Sequence, residues 1–309
     1  APGDKVQVQH LKMGTPKLFK ILAIIYNASL KMGYFGDKWK ISIITMILKP
    51  DKDATSPGSY RPISLLPVIG KLMEQIMAHR ISKYLIEKKL LNAYQTGFQK
   101  GKSTTHQVLR LAEHITKWFN KKPTGRTVSI FIDASKAFDT VWHDGLRMML
   151  ANDEIPEEFT RWISSFLSNR FGKIRVNEFL SREFKLSAGV PQGSIISPLL
   201  YIYFVKDLPT EVTERIISSF YADDSSYAAS DHLHKASKIF VTDLLQPILL
   251  KLETFCSKWR IGLNPTKTWC MNFHLTKEND NSPHLYIQGE LIKFQNSTPE
   301  GGGNFGILS

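Results

Sequence analysis

The stretch Ile216-Ile-Ser-Ser-Phe-Tyr-Ala-Asp-Asp-Ser-Ser-Tyr-Ala-Ala229 decides the fold. Ile216 to Tyr221 and Ser225 to Ala229 are β-forming arms around Ala222-Asp223-Asp224, the layout of a tight hairpin with carboxylates at its tip. Adjacent aspartates repel each other unless a cation or proton lies between them, which suits a hard metal ion, although turns also favour Asp for its solvation. Upstream, Thr127 to Ile132 is strongly β-forming and ends in Asp133. If that strand lies beside the hairpin, three carboxylates converge, as two Mg²⁺ ions about 4 Å apart require for phosphoryl or nucleotidyl transfer. The rival reading makes Asp133 a cap on the next helix.

Around this centre the pattern alternates between helix and strand. Thr15 and Pro16 read as a helix cap and first-turn proline, with Leu18, Phe19, Leu22, Ile25 and Tyr26 at helical spacing until Gly33. Helical patterns recur over Val68 to Leu91, Thr104 to Phe119, Asp144 to Leu150 and Pro156 to Leu167, and from near Pro198 toward Lys206. Another runs from His232 to Trp259, with Pro247 as a kink or break. Strands are predicted at Ile41 to Leu48, Tyr60 to Leu66, Lys173 to Asn177, Glu183 to Leu186 and Trp269 to His274. Short strands follow at Ile261 to Leu263, Leu285 to Ile287 and Glu290 to Phe294. Helices interleaved with antiparallel hairpins argue an α+β architecture rather than a doubly wound parallel sheet.

Composition narrows the function classes. With 309 residues and 42% hydrophobic content the chain can bury a sizeable core. Forty Lys and Arg against 28 Asp and Glu leave a formal charge of +12, which favours polyanionic partners such as nucleic acid. Cys256 and Cys270 lack paired metal-ligand spacing, which disfavours a disulfide framework and a zinc module and points to a reducing compartment. No apolar run approaches the roughly 18 to 20 residues of a membrane span. The start at Ala1-Pro2-Gly3 has no signal-peptide pattern and reads as a piece of something longer.

Four strings occur in order: Tyr60-Arg-Pro-Ile-Ser-Leu-Leu66, Phe131-Ile-Asp-Ala-Ser-Lys-Ala-Phe-Asp139, Gly189-Val-Pro-Gln-Gly-Ser194 and Tyr221-Ala-Asp-Asp224. Together they resemble the successive motifs of reverse transcriptases, with phrasing most similar to the jockey-like branch of LINE-type (non-LTR) retrotransposons. Lys71-Leu-Met-Glu74, Gln95-Thr-Gly-Phe98, Val141-Trp-His143, Asp207-Leu-Pro209 and Trp259-Arg-Ile-Gly-Leu-Asn264 also look like that group, so the likeness runs from about Ala1 to Ile307.

The resemblance implies a right-hand polymerase fold with an antiparallel palm sheet flanked by helices. It would comprise fingers over 1–123, a palm with inserted helices over 124–231, and further palm with the start of a thumb over 232–309. It further implies Asp133, Asp223 and Asp224 as ligands of two Mg²⁺ ions, with Mn²⁺ as a substitute and the Ala134 carbonyl completing one shell. Phe138, five positions after Asp133, would lie under the nucleotide sugar and select dNTPs over rNTPs, its plain alternative being a core ring. Lys49 and Arg61 would grip the triphosphate, Gln192 and Gly193 would touch the incoming nucleotide and template, and Lys267 would protonate the pyrophosphate leaving group. The partners implied are an RNA template, a DNA primer and dNTPs, with no membrane, in the nucleus and in cytoplasmic ribonucleoprotein.

Two further groups are read more plainly. The basic clusters Lys100, Lys102, Arg110 and Lys121, Lys122, Arg126 suit template phosphates or a solvated face, and Trp118, Trp142, Trp162 and Trp259 suit the core. Departures from the pattern fall at Asp4-Lys-Val6 and at Glu300 to Ile307. The alternatives are a catalytically inactive nucleic-acid-binding relative and an RNA-dependent RNA polymerase.

Overall fold

A computed structural model describes residues 6–232, 240–275 and 283–295. The departures at Asp4-Lys5 and Glu300 to Ile307, and residues 233–239 of the expected helix, lie outside them. In chain order the elements begin α1 (Val8–Lys12), α2 (Pro16–Met32), β1 (Ile41–Leu48), β2 (Tyr60–Leu65), α3 (Val68–Glu87), α4 (Thr104–Phe119), β3 (Gly125–Ile132) and β4 (Ala134–Ser135). Then come α5 (His143–Asn152), α6 (Glu157–Leu167), β5 (Arg170–Val176), β6 (Phe179–Leu180), β7 (Phe184–Leu186), α7 (Ser197–Phe204), β8 (Ile216–Tyr221) and β9 (Asp224–His232). The last are α8 (Val241–Trp259), β10 (Gly262–Leu263), β11 (Trp269–Phe273), β12 (Tyr286–Ile287), β13 (Glu290–Leu291) and β14 (Lys293–Phe294). They fall into two units, each built from two stretches: one up to Leu90 with Phe138–Phe204, the other Leu91–Ala137 with Val205 onward.

In the first unit β1 pairs antiparallel with β2 and parallel with β5, to which β6 and β7 are added. The ring of Phe35, fully buried, meets Trp39, Trp162 and Phe166 edge-on with centroids 5.2 to 5.3 Å apart, a geometry that suits aromatic quadrupoles. Helix α2 buries only Leu22, Tyr26 and Ser29, leaving Phe19 and Ile25 exposed, so its inward stripe is narrower than its apolar content suggests. Thr15 stands at its N-cap without a side-chain hydrogen bond, and the start is set by Pro16 at the first helical position.

In the second unit the strand order is β14-β11-β3-β9-β8, antiparallel throughout except for β14, which joins β11 in parallel. Helices α4 and α8 pack on it, and Leu111, Phe131, Ile217, Ala228 and Met271 form a core cluster. Strand β9 runs longer than expected, from Asp224 to His232, and its Ser225, Ser226, Ser230 and Asp231 are buried. Buried hydroxyls and carboxylates need partners: Ser230 Oγ bonds both Thr127 Oγ1 at 2.8 Å and His114 Nε2 at 2.9 Å. Asp231 takes Arg126 Nε at 2.7 Å and the Val241 amide at 3.1 Å, tying β3 and the start of α8 to β9.

Helix α8 passes through Pro247 without interruption, so the expected break is absent. Its buried row Val241, Leu245, Ile248, Leu249, Leu252, Cys256 and Trp259 outweighs the one backbone bond that proline forfeits. Both cysteines are free and buried.

Burial, and then the nearby Lys117 charge, lower the His114 imidazole from 6.5 to about 4. Between those values the unfolded chain binds the extra proton and the folded one does not, so stability must fall as pH drops from 6.5 toward 4. Thermal melts at pH 7 and pH 5 should show a smaller acid loss for His114→Gln than for the wild type; equal losses would remove His114 as a cause.

Candidate active site

The register of β3 and β9 sets the acidic centre. Ile132 pairs with Ser225, so Asp133, the next residue, leaves β3 beside Asp224 at the start of β9. Tyr221 pairs with Asp224 across the two-residue turn Ala222-Asp223, which confirms the hairpin and its acidic tip. Burial, reinforced by the charges of Asp223 and then Asp133, pushes the Asp224 carboxyl up to about 8. The charges of Asp223 and Asp133 beside the buried Asp224 make an oxygen-rich, anionic set that a hard cation would relieve. Among the described residues no group of three or more His, Cys, Asp or Glu side chains is placed so that it could hold a metal ion. Asp133 Oδ2 instead accepts from Asn264 Nδ2 at 3.2 Å and lies 3.6 Å from Lys267 Nζ. Lys267 sits on the short turn Pro265–Lys267 after β10, which pairs with β4 so that Leu263 faces Ala134.

The turn itself carries strain, since Ala222 has φ of +56° without being glycine, a conformation costing roughly 1–2 kcal/mol. Gln95, buried, holds it there. Its Oε1 accepts the Ala222 amide at 2.8 Å, and its Nε2 donates to the Ala222 carbonyl at 3.1 Å. Oε1 also accepts the Gly97 amide at 2.8 Å, while the Thr96 amide donates to the Phe220 carbonyl at 2.9 Å. Gln107 Nε2 stitches Tyr94, Thr96 and Phe220 together. A Cβ on Gly97 would lie 2.2 Å from the Ala222 nitrogen, so only glycine lets the loop approach this closely. The string Gln95-Thr-Gly-Phe98 was visible in the sequence, but nothing local connected it to a turn 127 residues away.

In the two basic clusters Lys100, Lys102 and Lys122 are exposed, while four side chains bond within the chain. Arg110 donates to the Ser218 carbonyl at 2.7 Å and lies over the Tyr94 ring, and Lys102 donates to the Gln95 carbonyl at 3.1 Å. Lys121 pairs with Glu214 at 2.5 Å over the Trp118 ring, and Arg126 is held by Asp231. Trp118, Trp162 and Trp259 are core, as expected, while Trp142 is only partly buried.

The first unit carries the other expected residues. Arg61 stands on β2, where Ile47 of β1 faces it, and Lys49 is the first residue after β1. Arg61 is exposed, whereas Lys49 Nζ donates to the Gly58 carbonyl at 2.9 Å. Gly193 has φ of +109°, and a Cβ there would meet the Ser64 carbonyl at 2.7 Å. The Gln192 carbonyl accepts the Ser64 amide at 2.7 Å, and its side-chain amide donates to Asp139 Oδ1 at 2.9 Å. Phe138, half-buried, stacks on Tyr201 with centroids 5.0 Å apart.

Residues 47–290 match the family described as reverse transcriptase (RNA-dependent DNA polymerase). The chain belongs to the reverse transcriptase family. This reverse transcriptase chain is 38% identical over 300 residues to a probable RNA-directed DNA polymerase from transposon BS of Drosophila melanogaster, covering 94% of the chain. It is 32% identical over 301 residues to the RNA-directed DNA polymerase from mobile element jockey of the same fly, covering 95% of the chain. In both cases it spans only 32% of the relative's length. Among solved structures, a telomerase from Candida tropicalis with a fragment of telomeric RNA aligns at TM-score 0.55 and 14% identity, over 88% of this chain and 47% of that one. The apo telomerase from the same yeast aligns at 0.54 and 12%, over 90% and 52%. The fold is therefore the right-hand polymerase fold, of α+β class. Reverse transcriptase domains generally depend on a divalent metal. No described helix is long and apolar enough to cross a membrane.

Proposed function

We propose that the chain is the polymerase core of a non-LTR retrotransposon and extends a DNA primer on an RNA template. The primer 3′-hydroxyl attacks the α-phosphorus of a dNTP, a phosphodiester forms, and pyrophosphate leaves. The observation that carries this reading is the β3–β9 register with the two-residue turn, which groups Asp133, Asp223 and Asp224 at one end of the sheet. Those carboxylates and the Ala134 carbonyl would hold two Mg²⁺ ions, or Mn²⁺ in their place. The ions would supply Lewis acidity at the hydroxyl and charge neutralisation at the pyrophosphate.

The remaining roles belong to the chain. Lys267, kept near Asp133, would hold the proton that the leaving group takes. Lys49 and Arg61 would bind the triphosphate oxygens, Lys49 by exchanging the Gly58 carbonyl for phosphate. Gln192 and Gly193 would meet the incoming nucleotide. On this reading 1–123 serves as fingers, 124–231 as palm, and 232–309 as further palm and the start of a thumb. Nuclear and ribonucleoprotein location would follow from the role.

The test is incorporation of labelled dNTP on an RNA template with a DNA primer, with and without Mg²⁺. Template binding with no incorporation would favour a catalytically inactive relative, and rNTP incorporation an RNA polymerase. Phe138 is expected to set the sugar preference: Phe138→Ala should raise rNTP use relative to dNTP by on the order of tenfold or more, since opening a steric contact is worth about 1–3 kcal/mol. An unchanged ratio of kcat/KM values would leave Phe138 as a core ring on Tyr201.

A further inference from the structure

Glu74 on α3 has no part in the chemistry above, yet it is fully buried, on the same face as Met73, Met77 and Ile81. A carboxylate in such surroundings is costly unless its bonds repay the loss of water. Its Oε2 accepts the Ser194 hydroxyl at 2.5 Å and the Ile195 amide at 2.8 Å, at the junction between the Pro191–Ser194 turn and α7. Ser194 Oγ in turn accepts the Ser197 amide at 3.3 Å, so one side chain gathers the start of α7 and the end of the turn. Arg170, also buried, donates to the Phe166 carbonyl and lies over the Phe166 ring, with its charge close enough to favour the Glu74 anion. Burial nonetheless pushes the Glu74 carboxyl above its ordinary range.

The same turn is fixed on two other sides, by the Ser64 amide on the Gln192 carbonyl and by Asp139 on the Gln192 side chain. Glu74 supplies the third anchor, on the side leading into α7. We infer that Glu74 is a positioning residue that aims Gln192 and Gly193, through Ser194, and thereby sets how tightly the incoming dNTP is held. The inference rests on the polymerase reading and on the nucleotide contact proposed for that turn.

The experiment is steady-state dNTP incorporation by the full chain and by Glu74→Gln, Ser194→Ala and the double variant, with thermal melts alongside. Each single variant should raise the dNTP KM about tenfold with kcat within about twofold, the pattern of lost uniform binding. The double variant should be no worse than either single one, because both cut the same link. Glu74→Asp, which keeps the charge, should recover part of the lost affinity. An unchanged KM, a fall in kcat at constant KM, or additive effects would overturn the inference while wild-type incorporation left the polymerase reading standing. No incorporation by the wild type would overturn both. If Glu74→Gln does not fold, Ser194→Ala decides alone, because it removes only one hydroxyl.

Discussion

Asp223→Asn should reduce dNTP incorporation by on the order of a thousandfold or more, and RNA-template binding and the fold should persist. The amide keeps the shape of the carboxylate but not its charge, and a metal-assisted transfer draws several kcal/mol from that charge, about one decade of rate per 1.4 kcal/mol. The fold should not suffer, because Asp223 and Asp224 repel one another and burial already disfavours the Asp224 anion. The variant should therefore melt no lower than the wild type, a result that separates lost chemistry from lost structure. Single-turnover primer extension and a gel shift with labelled template measure the two properties. Extension at the wild-type rate would remove Asp223 from the centre.

Gly97→Ala should be nearly as damaging without touching an acid. Its Cβ would sit 2.2 Å from the Ala222 nitrogen and 2.9 Å from the Ala222 Cα, and both are backbone atoms that no rotamer change can clear. Either the 95–98 loop withdraws and Gln95 loses its hold, or the turn carrying Asp223 is pushed away. Overpacking of this kind costs about 1–3 kcal/mol of stability, and a misplacement of about 1 Å at a reacting centre costs on the order of a hundredfold in rate. Melting and extension assays on the same preparation should show both losses. A variant with the wild-type rate would mean that the turn holds its shape without the loop.

The parts of the fold readable in advance were those with a local signal, either apolar residues at helical spacing or a short β-forming run. Helix α4 over Thr104–Phe119 stands where its apolar spacing puts it, and β1 at Ile41–Leu48 and β3 ending before Asp133 stand where their β-forming runs put them. The polar half of β9 was not readable, because Ser230 and Asp231 are buried through partners on α4, β3 and α8 rather than through hydrophobicity. The parallel pairing of β1 with β5 joins segments about 130 residues apart, and no local signal encodes it. The break offered at Pro247 is absent for a related reason: the proline's local penalty is outweighed by a buried face that only the folded chain reveals. At the candidate site, Asp133, Asp223 and Asp224 were placed by strand register, which the motifs foreshadowed. Gln95, Asn264 and Asp139 act on Ala222, Asp133 and Gln192 across long sequence separations, and their amide and carboxylate groups look ordinary until the partner is known.

The grip of Gln95 on both polar groups of Ala222 has an evolutionary corollary. A turn held from outside need not carry its own conformational preference, so the residue at 222 is released from any demand for glycine and answers instead to the brace. Drift at 222 and drift at 95 to 97 are then bound together, and lineages that alter one should be found to have altered the other.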